Sequence, residues 1–162
     1  MEKILVTGSS GFIGMHLCRN LLDQGYIICG IDNMNDYYDI SLKEKRLESL
    51  SKYNNFTFNK IDISNFKDVK KVFKEFKPAK VVNLAAQAGV RYSLENPHIY
   101  IETNVVGFTN IIEACRNYDV NGLIYASSSS VYGGNEKSPF SIYDRVDKPI
   151  SIYAASKKSN EL

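Results

Sequence analysis

Two groups of residues in this chain have the types and spacing of reacting or ligand-holding groups. Tyr153-Ala154-Ala155-Ser156-Lys157 sets a phenol and an ammonium four residues apart. On a helix that spacing puts both on one face. A cation held beside the ring favours phenolate, which suits a tyrosine to act as a general base near neutral pH. With 11 tyrosines in the chain, chance gives roughly one such pair, so the weight lies in its position. Ser128 stands 25 residues earlier, inside Ser127-Ser128-Ser129-Ser130 at the expected end of a strand. A hydroxyl there could bridge a substrate oxygen and the tyrosine. A polar strand end feeding a loop explains the same serines without chemistry.

The second group is Gly8-Ser9-Ser10-Gly11-Phe12-Ile13-Gly14, a GxxGxxG run between a short apolar segment and a helical pattern. Such a loop needs a residue tolerant of positive φ, lets backbone approach a pyrophosphate, and packs a helix closely on its strand. The helix starting near Phe12 and Ile13 would offer unpaired N–H groups and the positive end of its dipole. Asp32 follows at the end of the second strand, beside Asn33. Its carboxylate can accept both adenosine ribose hydroxyls and would repel a 2′-phosphate, and no arginine follows it to neutralise one. The expected cofactor is therefore NAD, not NADP. Asp62-Ile63 closes a third strand, where an adenine would lie. Leu84-Ala85-Ala86 ends a fourth with side chains small enough for a ligand's close approach. Ordinary strand-end packing accounts for these last two segments equally well.

Positioning these groups requires an alternation of strands and helices. Strands are expected at Lys3–Thr7, Tyr26–Ile31, Phe56–Ile61, Lys80–Ala85 and Gly122–Ala126. Helices are expected over Phe12–Asp23, with Ile13, Leu17 and Leu21 inward, and after Ser41, which forms a capping box with Glu44. A further helix capped by Ser64 carries Phe66, Val69, Phe73 and Phe76, and another runs from about Ile99 to Tyr118. Residues 131–150 read as a long loop, and a last helix carries Tyr153. The fold class is α/β, a Rossmann-type doubly wound parallel sheet of order 3-2-1-4-5, truncated after the fifth strand and the start of the Tyr153 helix.

Composition narrows the classes. The chain has 162 residues, 44% hydrophobic, with a net charge of +2, which fits one globular domain. The mixed charges of Lys43, Glu44, Lys45, Arg46 and Glu48 read as a solvated helix face, so neither nucleic acid nor membrane is an expected partner. The 3 cysteines have no metal-ligand spacing, so no metal is expected, and reduced thiols suggest a cytoplasmic protein.

Taken together, the TGSSGFIG run, Asp32, Asp62-Ile63, LAAQAG (84–89), Asn104, SSSSVYG (127–133) and Tyr153/Lys157 resemble the extended short-chain dehydrogenase/reductase superfamily. The segments DNMNDYYD (32–39), Leu42-Lys43, Arg46-Leu47, QAGVRYS (87–93) and PFS (139–141) are most similar to its UDP-glucuronate 4-epimerases. The resemblance covers essentially the whole chain. It implies that Ser128 and Tyr153 contact the 4-hydroxyl of a UDP-sugar, within a substrate site that also includes Gln87 and Ser129. It implies that Lys157 holds the nicotinamide ribose and that Asn104 supports the cofactor. Arg91 would face the substrate or form a surface ion pair. The implied reaction removes the 4-OH proton at Tyr153 as hydride passes to NAD, turns the 4-keto sugar over, and returns the hydride. Asn83 departs from the histidine usual before LAAQ, with an expected effect on strand-end packing and not chemistry.

Sugar 4,6-dehydratases and UDP-glucuronate decarboxylases typically carry an acidic residue before the VYG segment, which is absent here. UDP-galactose 4-epimerase is the nearest alternative, and a non-catalytic NAD-binding fragment is one of another class. On this reading residues 1–162 form an incomplete NAD-binding domain, and the substrate domain, missing from this chain, would follow Leu162. The whole family member is expected to be a homodimer.

Overall fold

The computed structural model describes Met1–Leu162. Five parallel strands, β1 (Lys3–Thr7), β2 (Ile27–Asp32), β3 (Phe56–Lys60), β4 (Lys80–Asn83) and β5 (Gly122–Tyr125), form one sheet in the order β3-β2-β1-β4-β5. The order and the all-parallel pairing are those expected. The side-chain period of two sorts each central strand between two layers. Leu5, Cys29, Ile31 and Val81 face α3 (Phe66–Phe76) and α6 (Phe108–Asn117), meeting Val69, Phe73 and Ile111. Ile4, Val6 and Ile28 face α1 (Phe12–Asp23) and α2 (Ile40–Leu50), meeting Cys18, Leu22 and Leu50. Coverage on both faces is what makes parallel strands apolar throughout.

Several local expectations shift. The fully buried row of α1 is Gly14, Cys18 and Leu22, with Leu17 and Leu21 packed against the same core as expected, while Ile13 is 65% exposed. The cause is Gly14, whose missing side chain lets the helix seat directly on the loop and turns Ile13 outward. Asp39 caps α2, accepting from Ser41 N at 2.9 Å, so Ser41 already lies inside the first turn. Asn65 caps α3 through Lys67 N at 3.1 Å. The Ser64 hydroxyl instead donates to Asp62 Oδ1 at 2.7 Å. A nearer oxygen at the residue before the helix wins both caps.

The long helix expected from residue 99 is broken. It comprises α4 (Tyr92–Glu95), α5 (Pro97–Tyr100), a π-helical segment Ile101–Gly107, and α6. Asn96, at φ −134° and ψ 73° and so outside the helical region, separates α4 from α5, with Pro97 opening the second. The loop expected from 131 begins as a 3₁₀ turn, Ser129–Tyr132, and α7 (Ile152–Glu161) follows, capped by Ser151. No helix is long and apolar enough to cross a membrane. All three cysteines are free, and burial pushes the Cys18 thiol up to about 12, which leaves it unreactive.

Candidate active site

The carboxyl ends of β1, β2 and β4 open on one cleft. At the end of β1 the chain turns through Gly8, whose φ of +68° is open to glycine at little cost. A Cβ there would lie 2.9 Å from Ala85 N, so the loop lies hard against the end of β4. Gly11 N donates to Gly8 O at 3.0 Å and closes the turn. Gly14 packs so tightly that a Cβ would fall within the Gly8 carbonyl. Gly11 is the N-cap of α1 and has no side chain to cap it. The first N–H groups, those of Phe12 and Ile13, are thus free of intrahelical partners. The Phe12 and Ile13 side chains are 66% and 65% exposed, so a ligand on the loop meets their backbone alone. Thr7 braces the base of the loop. Its Oγ1 donates to Asn83 Oδ1 at 2.7 Å and accepts from Leu84 N and Ala85 N at 3.0 and 2.9 Å. Asn83 is therefore a strand-end tie, as its position suggested.

Asp32 ends β2 and is 8% exposed. Its Oδ1 accepts from Met34 N at 2.9 Å, and its Oδ2 from Ser10 N at 3.2 Å. Asn33 Nδ2 donates to Asp62 Oδ2 at 2.8 Å, linking the ends of β2 and β3. Ile63 is buried in the core and, with Asp62, Leu84, Ala85 and Ala86, walls the same cavity as Gly8 and Asp32.

Sequence reasoning missed Asn35, Tyr37, Tyr38, Lys43 and Thr103, which also line the cavity. Lys43 is the plainest correction. Expected on a solvated helix face, it is 7% exposed, and its Nζ sits 3.6 Å from Asp32 Oδ1. Arg46 likewise turns inward, donating to Ser10 O at 3.3 Å. Both cations are remote from Asp32 in sequence, and only the folding of α2 back over the loop brings them near.

Burial alone would raise the Asp62 carboxyl, but hydrogen bonds from Asn33 and Ser64 hold it below the usual carboxylate range. A lowered folded pKa means that this stabilisation is present above the ordinary carboxylate pKa. It is lost as pH falls through the folded value. Asp62→Asn should therefore flatten part of the acid limb of a stability–pH curve, as pH falls through and below the ordinary carboxylate range, measured by urea unfolding. An acid limb identical to the wild type's would remove this assignment.

Apart from Gln87, the other predicted residues lie beyond the cavity, along the β4–β5 side. Lys157 is 5% exposed, and its Nζ donates to Ala126 O at 2.9 Å, tying α7 to the end of β5. Burial lowers its pKa. Tyr153, one turn earlier on α7, is half-buried, with its ring edge-on to Tyr100 at 6.1 Å between centroids. The single hydroxyl hydrogen of Tyr100 is shared between Ala88 O at 2.8 Å and Gly89 O at 2.6 Å, and burial pushes its phenol up to about 12. Asn104 is the joint of the region. Its Oδ1 accepts from Gln87 N at 2.8 Å, and its Nδ2 donates to Gln87 O at 3.1 Å and Ser156 Oγ at 3.0 Å. It sits in the π-helical segment, a deviation common at functional sites. Through Asn104 the 86–91 loop and α7 are held as one unit. Gln87 is 3% exposed and reaches the cavity wall.

Ser128 caps the 3₁₀ turn by accepting from Ser130 N at 3.2 Å, which leaves its hydroxyl hydrogen to donate elsewhere. Ser129 is exposed, and so is Arg91, which forms no ion pair. The surface salt bridge open to Arg91 is therefore not made. The 3₁₀ turn packs against α7, so the serines and Tyr153 border one region.

Residues 5–162 match the family described as GDP-mannose 4,6 dehydratase. Protein CapI of Staphylococcus aureus is 59% identical over 160 residues, covering 99% of this chain and 48% of that protein. The UDP-glucuronate 4-epimerase of Thermodesulfobacterium geofontis is 46% identical over 162 residues, or 100% of this chain and 50% of that one. Among solved structures, the UDP-glucuronic acid 4-epimerase from Bacillus cereus, in complex with UDP-glucuronic acid and NAD, superposes with a TM-score of 0.88. It is 37% identical over 98% of this chain and 50% of that one. The UDP-Glc/GlcNAc 4-epimerase from Campylobacter jejuni gives a TM-score of 0.90 and 33% identity, over 99% of this chain and 47% of that one. The chain spans about half the length of the curated relatives it matches.

Proposed function

Because this chain belongs to the GDP-mannose 4,6 dehydratase family, we propose that it forms the NAD-binding and proton-transfer half of a UDP-sugar 4-epimerase, with UDP-glucuronate and UDP-galacturonate as the sugars interconverted. The UDP-binding domain would lie in the rest of the polypeptide, and the whole protein would work as a cytoplasmic homodimer. One observation carries the reading. Asn104 locks the loop beside the glycine cradle to the helix bearing Tyr153 and Lys157, so a dinucleotide site and a candidate base share one rigid frame.

The residues fit NAD. The glycine cradle leaves no room for side chains, Phe12 and Ile13 offer N–H groups to a pyrophosphate, and Asp32 keeps lone pairs for ribose hydroxyls. Asn33, Asp62, Ile63, Leu84, Ala85 and Ala86 would enclose the adenine side. When bound, NAD would accept and return the hydride at C4. Tyr153 would take the 4-hydroxyl proton and give it back, while Ser128 donates a hydrogen bond to the same oxygen. Lys157, fixed by the Ala126 carbonyl, would hold the nicotinamide ribose and bias the phenol. Gln87, Arg91 and Ser129 would border the sugar.

The family's name includes a dehydration, which needs an acid to assist loss of a hydroxyl. Residues 127–133 carry no carboxylate, which favours epimerisation. UDP-glucose is the second candidate substrate, because a UDP-Glc/GlcNAc 4-epimerase superposes as well as the glucuronate enzyme. Incubating the whole protein with each UDP-sugar separates them, since turnover of UDP-glucose alone overturns the glucuronate assignment. For the cofactor, Asp32→Ala should narrow the preference for NAD over NADP by about tenfold, the loss of one charge–charge repulsion of about 1.4 kcal/mol. A preference left intact in a competitive titration would remove Asp32 from the site.

A further inference from the structure

The adenosine end of the cleft holds a cation that this reading does not use. Lys43 is buried, stands 3.6 Å from Asp32 Oδ1, and donates to Asn35 Oδ1 at 2.8 Å. An ammonium has three donors. One goes to Asn35, and Asp32 lies beyond hydrogen-bond range. Donor capacity thus remains at a wall of the cavity that Lys43, Asp32 and Asn35 all line. Lysine is rarely buried, because the desolvation of its charge is seldom recovered from a single ion pair. One turn along the same face, Arg46 donates to Ser10 O and lies 5.9 Å from the centre of the Phe12 ring, so a second cation sits at the glycine loop. With Asp62 on the same wall, the two carboxylates and two cations at this end sum to zero formal charge, although Asp32 by itself is negative.

We propose that Lys43 is a specificity-determining residue of the adenosine subsite, where it offsets the field of Asp32 and sets how strongly a 2′-phosphate is rejected. The inference rests on the dinucleotide reading above. A ribose hydroxyl responds to the acceptor oxygens of Asp32, which Lys43 leaves accessible. A phosphate dianion responds to the summed charge, which Lys43 changes by a full unit. Removing Lys43 should therefore weaken NADP binding far more than NAD binding.

The test is calorimetric titration of NAD and NADP into the purified chain at one ionic strength. Lys43→Met is expected to raise the NAD-over-NADP preference about tenfold. Lys43→Arg should hold it within about twofold, and Asp32→Asn/Lys43→Met should return it toward the wild-type ratio. Equal weakening of both dinucleotides by Lys43→Met would mean a purely structural role and overturns the proposal, as does an unmoved ratio. If Lys43→Met does not fold, the other two variants decide, and a ratio moved tenfold in Lys43→Arg overturns it. A wild-type chain that binds neither dinucleotide removes the reading of the cleft and this inference together. NAD binding with an unmoved ratio removes the inference alone.

Discussion

Turnover of UDP-glucuronate is expected to fall by roughly 10³-fold when Tyr153 is replaced by Phe in a polypeptide carrying both this domain and a UDP-sugar-binding half, with NAD still bound. The substitution deletes one oxygen and leaves the scaffold. The ring keeps its edge-on contact with Tyr100, Ser151 still caps α7 through Ala154 N, and Lys157 still reaches the Ala126 carbonyl. The loss should thus appear in kcat with KM little changed, the signature of an interaction made in the transition state. Ser128→Ala should cost less in rate, because it removes a hydrogen bond and not the base. It should also loosen the 129–132 turn by about 1 kcal/mol, since the same oxygen caps Ser130 N. Wild-type kcat in the Tyr153→Phe protein, with bound NAD verified by its absorbance after release, would take the proton transfer away from Tyr153.

The parts of this site that were legible in the sequence share a physical basis. The sheet order follows from strand–helix alternation and the rule of right-handed crossovers. The glycine loop was readable because backbone crowding at Gly8 and Gly14 admits no other residue. Asp32 was readable because a strand end fixes where its carboxylate points. Contacts made by elements folding back were not. Lys43 and Arg46 sit in a run of mixed charges that has no apolar period to mark an inner face, and their burial depends on α2 crossing the loop. The π-helical turn around Asn104 was hidden for a related reason. A widened segment barely disturbs an apolar period, and the hydrogen bonds Asn104 makes from it go to Gln87 and Ser156, far apart in sequence. The outward turn of Ile13 on α1 was not legible because glycine carries no hydrophobic signal, yet Gly14 is the residue that packs against the loop in its place.

That close approach makes Gly14→Ala a severe test of the glycine loop. On helix propensity alone, alanine should stabilise an interior helical position by about 0.8–1 kcal/mol. Here the added Cβ would meet the Gly8 carbonyl and lie 3.0 Å from Ser9 Cα. These are backbone atoms with no rotamer to change. Gly8 cannot retreat, because a Cβ at its own position would already be 2.9 Å from Ala85 N, and the Thr7 hydroxyl fixes that segment. The displacement must be taken up by α1, which draws Cys18 and Leu22 out of a core they share with Val6 and Ile28. The expected result is a net loss of about 2–4 kcal/mol in urea unfolding. NAD affinity should fall by at least roughly 100-fold, because the N–H groups of Phe12 and Ile13 move with the helix. Gly122→Ala is the matched control, with nothing within 4 Å of its added Cβ, and should leave both quantities near wild type. If Gly14→Ala behaves like that control, α1 does not depend on the contact with Gly8, and the glycine run is an ordinary turn and not a pyrophosphate cradle.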